Sequence, residues 1–117
     1  MPVVDAYYKE HPGMIYMEDN APPHSAKHTQ AMFEQLGIAR MPWPASSPDL
    51  NPIETIWNHM KAEIRQMEPV PSKAEDMKSA ILSAWEGIDQ GKIDRVIETM
   101  PARIQAVIAA NGGHTPF

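Results

Sequence analysis

The sequence has no cysteine. That excludes disulfides and thiolate metal sites, and it is compatible with a reducing compartment. No apolar run approaches 18 residues, so no membrane-spanning helix is indicated. The opening MPVVDAYYKEH lacks a basic start followed by a long apolar run, so no secretory signal is expected. Base is scarce relative to acid: Lys and Arg number 10 against 15 Asp and Glu, a net charge of -5. Proteins that bind DNA by neutralising phosphates usually carry a basic face. Bulk charge therefore argues against a complete DNA-binding protein, while leaving room for a local basic patch. What is present is 43% hydrophobic content over 117 residues, enough for one folded domain with a modest core. The 12 prolines cluster at 42–52 and 69–71 and read as punctuation between elements.

Along the chain, residues 3–11 suit a short helix that stops before Pro12-Gly13. The run Met14-Ile15-Tyr16-Met17 follows a turn signal and reads as a buried strand. Pro22-Pro23 is expected to force a non-helical turn. A helix from about Ser25 to Leu36 follows, with Thr29, Met32, Phe33 and Leu36 on one face and Gly37 as its stop. Residues 38–43 read as a second short strand, limited by Pro42. Asn51 as N-cap and Pro52 at the first position start a helix, whose stripe is Ile53, Ile56, Trp57, Met60 and Ile64. Ser72 and Glu75 match a capping box for the next helix, with Met77, Ala80, Ile81, Ala84 and Ile88 inward and Trp85 beside them. A last helix spans about Ile93 to Ala110, with Val96, Ile97, Met100, Ile104 and Val107 inward, a kink at Pro101 and a stop at Gly112-Gly113. Two strands make a thin sheet, so the pattern is that of part of an α/β domain.

Two acids sit at well-marked junctions. Asp19 ends the first predicted strand, the edge where open α/β sheets carry functional residues. Asp-Asn before Pro-Pro is also ordinary turn chemistry. Glu54 falls three residues after Asn51, where a capping box and the helix dipole both favour a carboxylate. As a pair they suggest more. Hard divalent cations take carboxylate oxygens, with waters and substrate phosphates completing the shell. Acids at a strand end and at the start of a helix packed on the same sheet are placed to converge on one ion.

The runs MEDNAPPHSA and WPASSPDLNPIETIW resemble the catalytic half of the Tc-one/mariner superfamily of DDE transposases. In that family an Asp in Asp-Asn-Ala-Pro-x-His is the second catalytic carboxylate, and a SPDLNPIE run supplies the third after 34 intervening residues. Asp19 and Glu54 show that spacing. The tail runs AILSAWEGI and ETMPARIQAVIAANGG are similar to the family's end. The resemblance implies a partial ribonuclease-H-like α/β fold, its last strands and helices, completed by a carboxyl-terminal helical tail. It implies one domain over 1–117, with the catalytic motifs in 1–66 and the tail in 72–113. It implies Asp19 and Glu54 as catalytic, metal-binding acids, a two-ion Mg²⁺ or Mn²⁺ site, and DNA, both transposon ends and target, as partner of the full-length protein. The family reaction is hydrolysis of a phosphodiester at the transposon end, followed by attack of the freed 3'-hydroxyl on target DNA. A DNA substrate implies the nucleus in a eukaryote and otherwise the cytoplasm. The resemblance leaves room for a homodimer and calls for no membrane.

Other residues take supporting places. His24 matches the family's motif histidine and is expected to hydrogen-bond near the site, beside Asn20. Asp49 and Asn51 belong to the loop before Glu54, with Asp49 shaping it. Lys61 and Arg65 follow Glu54 on one helix and are candidates for a phosphate backbone. His24 and His28, four apart, fit a zinc pair poorly because HSAKH lacks the glutamate of HExxH, and His28 is expected to be solvated. Glu18 is expected to point away from Asp19. Trp57 and Trp85 read as core rather than as base-stacking platforms. The family's first catalytic Asp lies on a strand upstream; Asp5 lies in a helical pattern at the wrong distance and does not take its place. The 117-residue chain alone is therefore expected to be inactive. Two alternatives remain: a truncated or domesticated remnant acting as a non-catalytic binding module, and an unrelated metal-dependent hydrolase using Asp19 with the histidines.

Overall fold

The computed structural model describes residues 2–117. They form two compact units, one ending at Ser47 and one spanning Pro48–Phe117. The division falls ahead of the helix that carries Glu54.

In the first unit, α1 covers Pro2–Glu10, with Lys9 reaching back one turn to Asp5 at 2.7 Å. The two predicted strands shrink to one parallel bridge, Tyr16 with Arg40. Tyr16 donates its N–H to Ala39 and accepts from the N–H of Met41. Among the described residues no further segment extends the ladder, so pairing stops at one residue each. Pro22-Pro23 does not force a non-helical turn. Both prolines lie in a short helix, α2, Pro22–Ser25. The first turn of a helix needs no N–H from its leading residues, which is why proline is tolerated there. Ala21 before it is extended (φ -53°, ψ 145°), as a residue preceding proline prefers. Ala26 is extended too and splits the expected helix, leaving α3 as Lys27–Gln35. Phe33 is buried beneath Tyr16, ring centroids 5.2 Å apart. Gly37, at φ +63°, closes α3. Its N–H bonds Glu34 and that of Ile38 bonds Phe33, a Schellman closure that a left-handed glycine permits.

In the second unit, a short 3₁₀ turn, Pro48–Leu50, leads into α4, Ile53–Arg65. The helix begins at the proline junction, but Asn51 does not cap it through its side chain. Its carbonyl accepts the N–H of Glu54 instead (3.1 Å), so Glu54 lies in the first turn without a capping box. The next helix, α5, is Ala74–Glu86 and also starts without a side-chain cap, so Ser72 and Glu75 form no capping box. Two more helices follow, α6, Gln90–Ile97, and α7, Met100–Ala109. The expected single kinked helix is thus two. Pro101 would clash with the carbonyl of Ile97 in a continuous helix, and α6 ends at Ile97.

Ile56, Met60 and Ile64 of α4 pack with Ala80 and Ala84 of α5 into one core, flanked by Ile53, Met67, Ile88, Ile93 and Val96. The α5 residues in this core are thus small ones. That choice rotates the remaining apolar residues outward: Met77 is exposed and Ile81 is 45% exposed. Trp57 (44%) and Trp85 (46%) are also half-exposed and are not core residues. Ile97 and Ile104 are exposed as well, because the break at Glu98-Thr99 puts α6 and α7 out of phase.

Candidate metal centre

Asp19 lies just past the Tyr16–Arg40 bridge, in the irregular run before α2. Its Oδ1 accepts the N–H of Ala21 at 3.1 Å, closing a tight Asx turn that proline then continues into helix. The same Oδ1 lies 2.6 Å from His24 Nδ1, so Nδ1–H donates to it. The two bonds, the backbone one first, hold the Asp19 carboxyl below its ordinary range, since both favour the charged form. Among the described residues, both hydrogen bonds fall on Oδ1 and none on Oδ2, on a side chain that is 54% exposed.

Asp19 opens onto a cleft of about 270 Å³, lined also by Glu18, Asn20, His24, Arg40 and Trp43. Asn20 donates its amide to the Trp43 carbonyl at 2.5 Å, tying the Asp-Asn run to the segment after Arg40. Glu18 does not point away from this cleft. Its Oε1 pairs with Arg40 at 3.2 Å and its Oε2 lies 3.9 Å from His24 Nδ1. Side-chain alternation requires a strand, and pairing here stops at Tyr16. Arg40 also stacks over the Phe33 ring, 4.8 Å from its centroid. Tyr16 is raised above its ordinary pKa, by burial first and then by Glu18. Neither Glu18, Arg40 nor Trp43 carried a sequence signal for the cleft, because their meeting depends on the parallel bridge.

Glu54, in the second unit, is half-buried in the first turn of α4. Asp49, in the 3₁₀ turn, accepts the Thr115 hydroxyl through Oδ2 at 3.0 Å. Its carbonyl accepts from Arg103. Lys61 and Arg65 are exposed on α4, and His28 is exposed on α3. Sequence reasoning missed Arg103, which is only 4% exposed.

Among the described residues, no group of three or more His, Asp or Glu is placed to hold an ion together. The donors at Asp19 are nonetheless of the kind a hard cation needs. It is a carboxylate whose charged form is favoured, with both hydrogen bonds on one oxygen, and no thiolate competes. The histidine beside it is committed to Oδ1, which disfavours a zinc pair with His28.

The sequence pattern of the DDE superfamily endonuclease family matches residues 3–78. The chain is 34% identical over 103 residues to the Tcb2 transposase of Caenorhabditis briggsae, covering 88% of this chain and 37% of that protein. It is 34% identical over 105 residues to the Tc1 transposase of Caenorhabditis elegans, covering 90% and 38%. The structure superimposes on the catalytic domain of Mos1 mariner transposase with a TM-score of 0.79 at 26% identity, over 92% of this chain and 52% of that one. A Mos1 catalytic domain with raltegravir and Mg gives the same TM-score and identity. The chain belongs to the DDE superfamily endonucleases, within their Tc1/mariner transposase branch. Its backbone follows the ribonuclease-H-like Mos1 catalytic domain, and it spans about 37% of the length of the curated relatives it matches.

Proposed function

We propose that this chain is the carboxyl-terminal portion of a DDE transposase catalytic domain and contributes two of its metal-holding acids, Asp19 and Glu54. The observation that carries the reading is the Asp19 carboxylate. Its charged form is favoured, it is anchored through one oxygen by Ala21 and His24, and no hydrogen bond falls on the other. The 34-residue interval to Glu54 and the family match over residues 3–78 support it.

In this reading Asp19 and Glu54 hold Mg²⁺ or Mn²⁺, with water and DNA phosphate oxygens as further ligands. Held there, such ions would supply activation of an attacking oxygen and stabilisation of a leaving one in phosphoryl transfer at DNA. The chain's own residues position the acids. His24 and the Ala21 N–H fix the Asp19 carboxylate plane, and the first turn of α4 fixes Glu54. Exposed Lys61 and Arg65 on the same helix face the phosphate backbone. The whole protein acts on transposon ends and target DNA, in the nucleus when its source is eukaryotic.

Two carboxylates hold Mg²⁺ weakly, and a misplacement of about 1 Å can cost about a hundredfold in rate. The isolated 117 residues therefore neither cleave nor join transposon-end DNA. Two measurements test the reading. Mn²⁺ added to ¹⁵N-labelled chain should broaden the amide signals around Asp19 and Glu54, and Asp19→Asn or Glu54→Gln should abolish the effect at its own position. Broadening elsewhere, or none, overturns the metal assignment. A labelled duplex incubated with the chain and Mg²⁺ or Mn²⁺ should stay intact. Cleavage that disappears in both Asp19→Ala and Glu54→Ala would refute the inactivity and make Asp49 the first candidate for a further acid.

A further inference from the structure

One buried charge remains unexplained by the acids themselves. Arg103 sits in α7 and is only 4% exposed. A buried guanidinium is costly unless its donors are met, and here they are. Nε donates to the Thr99 hydroxyl at 2.7 Å, Nη1 to the Asp49 carbonyl at 3.0 Å and Nη2 to the Thr55 hydroxyl at 2.8 Å. The Phe117 ring covers the guanidinium, 4.8 Å from its carbon. Thr115 adds a second tie to Asp49 through its carboxylate.

The partners are not scattered. Asp49 lies in the 3₁₀ turn that feeds α4, and Thr55 is the residue after Glu54. Arg103 therefore bridges the turn before Glu54 and the helical turn that carries it, from residues 48 and 54 positions away in sequence. The start of α4 lacks any side-chain cap. The N–H of Glu54 bonds the Asn51 carbonyl and that of Thr55 bonds the Pro52 carbonyl, and a helix start with no side-chain cap is prone to fray. A planar fork with fixed donor directions suits such a bridge, and lysine cannot reproduce it.

We infer that Arg103 is the positioning residue for Glu54: it latches the Pro48–Leu50 turn to the first turn of α4 and so sets where the Glu54 carboxylate is presented, with the Thr115–Phe117 segment closing the latch. The link to metal rests on the reading of Glu54 above. The latch itself is a statement about local order and is measurable without metal.

The test compares Thr55→Val, which keeps shape but removes the hydroxyl, with Thr55→Ser, which retains it; Arg103→Met is the companion variant. Amide exchange is followed at Glu54 and Thr55, with Ile64 and Ala84 as internal references. Loss of one bond to a buried guanidinium should speed exchange at Glu54 and Thr55 about tenfold in Thr55→Val. Ile64 and Ala84 should keep wild-type rates, and Thr55→Ser should restore the slow rate. In the same variants Mn²⁺ broadening should weaken at Glu54 and persist at Asp19. Equal acceleration at all four amides, or none at Glu54 and Thr55, overturns the latch. If Mn²⁺ broadens neither acid in the unmutated chain, the metal reading fails while the exchange comparison still decides the latch.

Discussion

His24 Nδ1 lies 2.6 Å from Asp19 Oδ1, the same oxygen that accepts the Ala21 N–H. Three residues of one short motif thus meet at a single carboxylate oxygen, and no hydrogen bond falls on its twin. The turn chemistry of the Asp-Asn run is thus compatible with the proposed role of Asp19, because the turn fixes where the carboxylate sits.

That geometry predicts a titration. The Asp19 carboxyl titrates below the usual aspartate value of about 3.9, first because of the Ala21 N–H and then because of His24. Its folded pKa is depressed, so its contribution to stability is present above the unfolded value and is lost as pH falls through the folded one. His24→Ala should move the carbon-13 titration midpoint of Asp19 upward, without fully restoring it, since the backbone bond stays. An unchanged midpoint would show that the histidine contact is absent in solution.

The core predicts a contrast between two isoleucines. Ile56 is 2% exposed in the α4–α5 core, and Ile56→Ala should cost about 2–5 kcal/mol in denaturant unfolding. Ile81→Asp, on the outward side of α5, should cost about 1 kcal/mol or less. The reverse order would mean that α5 presents a different face to α4.

Gly37 predicts a backbone effect. At φ +63° it closes α3 with open space where a side chain would begin, so only conformation opposes replacement. Gly37→Ala should destabilise by about 1 kcal/mol, and Gly37→Asn by less, since asparagine tolerates the left-handed region. Equal loss in both variants would point to a packing role instead.

For DNA, fluorescence anisotropy with a short duplex should show weak binding that falls steeply with salt. Lys61→Ala and Arg65→Ala should each lower the log–log salt slope by about 1 if the side chain meets a phosphate. A slope unchanged in both variants would remove α4 from the DNA-facing surface.

Much of this protein was determined locally. Pro52 and the Ile56/Met60/Ile64 repeat set the start and the buried face of α4 because helix periodicity and proline's missing N–H act over a few residues. Gly37 ended α3 for a similar short-range reason. The Asp19 and Glu54 motifs, with their fixed interval, were equally legible and carried the family likeness with them. What tertiary structure alone decided is non-local. Ala80 and Ala84, rather than the larger Met77 and Ile81, pack into the α4–α5 core, because the pairing of two distant helices decides which side of α5 is inward. The cleft beside Asp19 exists because a single parallel bridge brings Arg40 and Trp43 back to it. Arg103 is buried because an Asp49 carbonyl and a Thr55 hydroxyl wait for it some fifty residues away. No window along the chain contains those partners together, so the charge reads as surface until the fold supplies them.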